Sequence, residues 1–448
     1  MLSYAASDVK PSDGRRLYLD SLWSAVDVHD LDRPAADLQA VAMVFTRLAV
    51  GWVLCPGRHT LTRVYPLAEP QSHKAHDAYH RFFRAGAWCL AQLWERLARR
   101  LVERFRPRGV IPLTLDDTTF HKTGRKMDGA GWWRDAVRST GQKVVHCFGL
   151  NLVVLCVRID PPWGGEPLSL PINARLHRKG EETLLDQAEA MMREVAGWFP
   201  GRRLHLSADG FYATLAGRAL PNAHLTSRMR SDAAIYDAPP TRRPHQKGRS
   251  RKKGRRLPTP KELAQRKQGW KSATVVMRGK PQVRLLLTCD VLWYAVSPKA
   301  LVRLVISRDP EGHEEDDFLF TTDLNATSES VVCDYAGRWS IEDTFRNVKQ
   351  YLGGEDPQCW KGLGPERAAA FSFWIYSAVW LWYLETQKTR RSWIPLAWYP
   401  QKATPSFADA LACLRRALWR ERLFVNSEKN PLPSKIATTL INVLAMAA

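Results

Sequence analysis

Between Val110 and Met229 the sequence runs strand, strand, strand, helix, strand, short helix, strand, an order that leaves a chain few ways to fold. Three apolar, β-branched runs, 110–115 (VIPLTL), 143–159 (KVVHCFGLNLVVLCVRI) and 166–177 (EPLSLPINARLH), follow one another with no helix between them, which predicts an antiparallel start. A helical pattern at 182–199 and a strand at 202–208 come next, then a short helix at 214–220 and a strand at 223–229. Strands alternating with helices make the expected fold class α/β with a mixed sheet.

The flanks have a different texture. From about 18 to 105, apolar positions recur at helical spacing, which predicts a helical N-terminal region. Within it, Ser72 is a candidate cap for a helix through HKAHDAYHRFFR, where Lys74, His80, Arg81 and Arg84 alternate with aromatic rings; a DNA-reading helix and an ordinary solvated one both fit. His73, His76 and His80 lack a neighbouring Cys or carboxylate to complete a zinc site, so they read as a solvated or phosphate-contacting face. Residues 242–256 (RRPHQKGRSRKKGRR) repel one another too strongly to fold alone and predict a mobile loop. Four strands follow at 271–279, 282–296, 301–307 and 317–323, a β-rich insertion, before the chain returns to helix at 328–351. The segment 368–384 (AAAFSFWIYSAVWLWYL) is near the short limit for a bilayer span and reads as a buried core helix. Ser406 and Asp409 form an S-x-x-D box that opens a last helix.

Charge narrows the function. With 66 Lys and Arg against 45 Asp and Glu the formal net charge is +21, self-repulsion that folding does not reward and that a polyanion does. The eight cysteines make no C-x-x-C pair and read as reduced cytosolic thiols. The first residues lack a secretory pattern, so a cytoplasmic protein without membrane attachment is expected.

Acidic residues stand where such a sheet would present chemistry. Asp116 and Asp117 follow the first apolar strand and Asp209 follows the fourth. In YAGRWSIEDTFRNVK, the offsets of Tyr335, Arg338, Glu342 and Lys349 place all four within about a 60° arc of one helix. An acid flanked by two cations and a phenol suits a phosphodiester, with Glu342 holding metal and the others holding phosphates. An amphipathic helix with a surface Arg338–Glu342 pair is the plain alternative. His121, Lys122, Arg125 and Lys126 follow the first acid, and Arg249, Arg251, Lys252 and Lys253 lie in the basic run; both sets are candidate DNA contacts or charged surface turns.

The spacing Tyr335-x2-Arg338-x3-Glu342-x6-Lys349 resembles the Y-R-E-K signature of bacterial insertion-sequence DDE transposases. LDDTTFHKTGRKMDGAGWW and LSADGFYATLAGRAL resemble the same group, and the likeness spans roughly residues 110–383. It implies an RNase H-like core with a catalytic, metal-binding triad Asp117, Asp209 and Glu342, because the family's first acid stands immediately before Thr; Asp116 is the competing ligand. It further implies two Mg²⁺ ions per site, replaceable by Mn²⁺, cleavage and strand transfer of double-stranded DNA at transposon ends and target, a homodimer on paired ends, and a route that passes through a DNA hairpin. On this reading 1–106 is a helical N-terminal DNA-binding domain, 107–230 the first part of the core, 231–325 the basic loop and β-rich insertion, 326–388 the second part with the glutamate, and 389–448 a helical C-terminal region. A regulator or plain nuclease of the same fold is the rival.

Overall fold

The computed structural model describes residues 35–71, 74–135, 138–241, 248–386, 393, 398–426 and 434–446. Four helices, α1 (Ala35–Leu54), α2 (Leu61–Ala68), α3 (His76–Ala85) and α4 (Leu90–Phe105), precede the strands β1 (Ile111–His121), β2 (Gly131–Arg134), β3 (His146–Ile159) and β4 (Leu168–His177). Next come α5 (Leu184–Trp198), β5 (Leu204–Ala208), a 3₁₀ turn (Gly210–Gly217) and β6 (Ala223–Arg228). The short α6 (Pro260–Leu263) leads into β7 (Lys271–Met277), β8 (Lys280–Val291), β9 (Val302–Arg308) and β10 (Asp317–Thr321). The chain closes with α7 (Ser328–Gly337), α8 (Ser340–Tyr351), α9 (Gly364–Thr386), α10 (Phe407–Asn426) and α11 (Ser434–Met446).

All ten strands form one mixed, open sheet in the order β2-β3-β1-β5-β6-β10-β9-β8-β7, with β4 also paired to β3. The expected antiparallel start is present as β1–β3 and β3–β4, and β1–β5 and β5–β6 are parallel. The strands of the insertion continue this sheet, because β10 pairs antiparallel with β6. β1 runs past the point expected from its apolar residues: Asp116 and Asp117 lie inside it, paired with Val154 and Val153, and TTFH carries the strand on to His121. Threonine and phenylalanine suit a pleated, half-buried surface, so the ladder continues where the carboxylates suggested an end.

Other boundaries shift for physical reasons. The helix expected over 328–351 is two, meeting at Arg338 and Trp339. Both residues keep right-handed helical backbone angles, but the bonds tighten to i→i+3, from Trp339 N to Ala336 O and from Glu342 N to Trp339 O. The helix expected after Ser72 starts at His76; Ser72 and His73 lie outside the described residues. In the basic run, 242–247 is also outside them, whereas Lys253–Arg256 is held in place: Tyr236 bridges to Arg256, and Lys253 Nζ sits 4.6 and 4.5 Å from the Tyr236 and Tyr294 rings. Tyrosine faces offset charge that the run alone could not accommodate.

The apolar helix α9 is almost wholly buried, and among the described residues no helix is long and apolar enough to cross a membrane. Trp374 and Phe371 of α9 meet Phe45 of α1 edge-on at 4.9 and 5.3 Å, so the helical flanks share the core that backs the sheet. Removing a fully buried indole leaves a cavity costing about 3–5 kcal/mol. Trp374→Ala should therefore lower the denaturant midpoint by the equivalent of at least about 3 kcal/mol. An unchanged midpoint would show that α9 does not carry the core.

Candidate active site

Side chains alternate along β1, so Thr114, Asp116 and Thr118 face one side of the sheet and Leu115, Asp117 and Thr119 the other. The first side is the one on which α8 packs: Thr114 Oγ1 lies 3.0 Å from Ser169 Oγ, which lies 2.6 Å from Ser340 Oγ. Leu115 is the last residue of β1 paired with β5, opposite Ala208, so Asp116 and Asp209 are the next residues on adjacent parallel strands. Asp209 caps the 3₁₀ turn, its Oδ1 accepting from Phe211 N–H at 3.2 Å, and it is exposed.

Arg338 joins the third acid to the first. Its Nη1 donates to Asp116 Oδ2 at 2.7 Å and its Nη2 to Glu342 Oε1 at 3.4 Å. The guanidinium is 6% exposed, against 19% for the Asp116 side chain and 45% for Glu342. Tyr335 and Trp339 bracket it, with ring centres 5.6 and 5.3 Å away, and Arg228 and Arg278 extend the stack beyond those rings at 5.8 and 5.2 Å. Arg338 Nε is buried with no hydrogen-bond partner among the described residues. An unused buried donor is costly, and an anionic oxygen would satisfy it.

Asp117 stands apart from this group. Tyr212 Oη donates to its Oδ1 at 3.1 Å, and Asn151 and His177 lie on the same side. Burial raises the pKa of Asp117, opposed by the Tyr212 and Asn151 hydrogen bonds. Burial also pushes Asp116 up to about 7, outweighing the attraction of Arg338, and raises Glu342 against the same cation. The preference for Asp117 over Asp116 as the acid grouped with Glu342 thus meets the opposite geometry: Asp116 shares the arginine with Glu342, and Asp117 faces away.

The candidate phosphate contacts divide into exposed and anchored groups. Arg125, Lys126, Arg249, Arg251 and Lys252 are exposed. Lys122 is buried, donating to Glu355 O at 2.6 Å and Pro357 O at 3.2 Å, and burial lowers its pKa to about 8. Lys349 is part-buried, donating to Thr119 O at 2.9 Å. Tyr335 is buried beneath Arg338 and does not present its hydroxyl on an open face. Trp293 is buried edge-on against Phe320, as a core aromatic.

Sequence reasoning missed Arg278, which lies close enough for its charge to act on Glu342. It sits with Gly279 in the two-residue turn between β7 and β8, both at positive φ (49° and 70°). Such turns favour residues that tolerate the left-handed region, so an arginine there is strained and carries a cost of order 1 kcal/mol. The Arg-Gly pair between two apolar strands was the available signal. The exposed Phe211 and Trp339 likewise flank the acids without having been singled out.

A family model described as DDE superfamily endonuclease matches residues 41–283, more than half of the chain. The matched span contains Asp116, Asp117 and Asp209 and stops before Glu342. No curated protein matches the chain.

The raised Asp116 pKa sets a pH dependence. Unfolded, Asp116 titrates near 3.9; folded and metal-free, it holds its proton up to about 7. Between these values the native state binds more protons than the unfolded state, so this group makes stability fall as pH rises through the window. Asp116→Asn keeps that position neutral throughout. Melting of the metal-free protein between pH 5 and 8 should show a smaller pH-driven loss for the variant than for wild type, and equal slopes would contradict the burial argument.

Proposed function

Because the chain belongs to the DDE superfamily endonucleases, we propose that it is an insertion-sequence transposase of the Y-R-E-K group, which cuts DNA at the terminal inverted repeats and joins the freed ends to a target. The observation that carries the reading is the Arg338 bridge between Asp116 and Glu342, beside Asp209 on the adjoining strand. We read the order β4-β3-β1-β5-β6 as the RNase H-like core and the triad as Asp116, Asp209 and Glu342, with Asp117 as a neighbour that fixes Tyr212.

The three acids offer carboxylate oxygens alone, the donors that Mg²⁺ and Mn²⁺ select. The burial that keeps a proton on Asp116 up to about pH 7 is the setting in which added positive charge ionises the group. When bound, a pair of such ions supplies an activated water or 3′-hydroxyl and stabilises the departing oxygen.

The chain's own residues hold the DNA. Arg338, its Nε without an acceptor and its ring-stacked plane already oriented, grips a phosphate at the cut. Arg278 adds charge on the Glu342 side, Tyr335 backs Arg338 from a buried site, and Lys349 holds the end of β1 through Thr119 O from a part-buried one. The exposed Arg125, Lys126, Arg249, Arg251 and Lys252 contact the backbone of the duplex further out, where each phosphate neutralised releases counterions. The exposed ring of Phe211 is the candidate for stacking on a displaced base in a hairpin route. Action on paired ends calls for two copies of the chain.

The test is cleavage and joining of labelled linear DNA carrying the element's own ends, with Mg²⁺ or Mn²⁺. Wild type should cut at the ends and join pre-cut 3′-ends into a plasmid. Asp116→Asn and Glu342→Gln should each lose about a thousandfold in both steps, while Asp117→Asn stays within about tenfold of wild type. Loss in Asp117→Asn with activity kept in Asp116→Asn would reverse the ligand choice, and cutting without joining would leave an endonuclease that is not a transposase.

A further inference from the structure

A second cluster lies farther along β1, at the edge of the sheet. The ligand atoms of His121, Asp135 and Cys147 all lie within 4.8 Å of one another, a grouping of imidazole, carboxylate and thiol contributed by three neighbouring segments. Strand register explains the convergence. His121 pairs with Gly149 across β1–β3, and Cys147 follows two residues along β3 on the same face. Trp133 pairs with Cys147 across β2–β3, and Asp135, two residues further on, still donates its backbone N–H to Val145 O at 2.8 Å. A Cβ on Gly149 would collide with Phe120 O, so glycine is what lets β3 run this close to β1 beside the cluster.

We propose that His121, Asp135 and Cys147 bind one thiophilic divalent ion of the zinc class, with water in the fourth position, at a site separate from the three catalytic acids. A soft thiolate with an imidazole and a carboxylate is a donor set for zinc and not for Mg²⁺. Ligand atoms around a tetrahedral zinc stand roughly 3.3–3.8 Å apart on its usual bond lengths, so closure from the observed spacing requires side-chain shifts of about 1 Å. His121 is exposed and free to make that adjustment, and its half-open ring leaves room for the water.

The surroundings fit the charge of such an ion. Glu355 lies 3.8 Å from His121 Nδ1 and accepts the His121 backbone N–H at 2.9 Å, which fixes the strand end that carries the imidazole. Lys349 Nζ donates to Thr119 O, lies 3.8 Å from Glu355, and is close enough for its charge to act on Cys147 and Asp135. The Asp135 and Glu355 carboxylates and the Cys147 thiolate offset most of the positive charge of the ion, Lys349 and Arg138. Arg138 holds the Asp135 carboxylate, its backbone N–H donating to Oδ1 at 3.0 Å and its Nε lying 3.6 Å from Oδ2. On binding, the Cys147 thiol loses its proton to solvent as the metal–sulfur bond forms, with no change of oxidation state. The ion would staple the end of β1 to the loop after β2.

Cobalt reports on this site independently of nuclease activity. Full-length protein stripped with chelator is titrated with Co²⁺ while thiolate-to-cobalt charge-transfer absorption is followed. The band should saturate at one equivalent, yield to Zn²⁺, and persist in excess Mg²⁺ and in Asp116→Asn. Cys147→Ser should abolish it, and His121→Ala, at a solvent-exposed position that the fold does not need, should weaken cobalt binding at least about tenfold. Absence of the band in wild type, or its survival in Cys147→Ser, would overturn the proposal.

Discussion

A guanidinium buried to 6% exposure must be neutralised where it stands, because an isolated charge taken out of water costs several kcal/mol. Arg338 meets that demand with two carboxyl groups, Asp116 from the middle of the distant β1 and Glu342 one helical turn on in α8. The tightened turn between α7 and α8 supplies Tyr335 and Trp339 as flanking rings and aims the arginine at the sheet. α8 is seated on the sheet by Ser340 and Thr344, which bond Ser169, and Arg338 links its Glu342 to Asp116. A site that gathers acids around a buried arginine is also one where a divalent ion can take over the arginine's electrostatic role, freeing it for a phosphate.

The parallel register of β1 and β5 is the second constraint. It sets Asp116 beside Asp209 at the point where β5 ends and the chain turns away as a 3₁₀ segment. Beyond β6 the sheet continues through β10 to β7, and its far hairpin returns Arg278 to the ring of Trp339. The β7–β8 hairpin thus brings a strained arginine to the side of Glu342.

Much of this was legible in the sequence, because period-2 and period-3.6 patterns survive wherever one face is buried. Five of the six strands from Ile111 to Arg228, the four strands after Trp270 and the capped helix from Leu184 fall where those patterns place them; the four-residue β2 is too short to show a period and was not foreseen. What was not legible turns on side-chain direction and burial. In LDDTTFH the polar residues looked like the end of a strand, yet pairing with β3 carries β1 through them, and only that pairing tells the face of Asp116 from the face of Asp117. Tyr335 and Lys122 read as surface groups by residue type but are buried, one by stacking under Arg338 and the other by backbone carbonyls around Pro357. Sequence spacing brought Tyr335, Arg338, Glu342 and Lys349 together on one helix; the turn at Trp339 and the depth of each residue decide how differently they are presented.

The central claim is that Asp116, and not Asp117, shares a divalent ion with Asp209 and Glu342. The most direct measurement is a crystal structure of the protein with Mn²⁺ bound, in which anomalous scattering marks the ion without reference to activity. The account predicts an anomalous peak coordinated by Asp116, Asp209 and Glu342, with the Arg338 guanidinium withdrawn from its bridge. A peak held by Asp117 while Arg338 still joins Asp116 to Glu342 would contradict it.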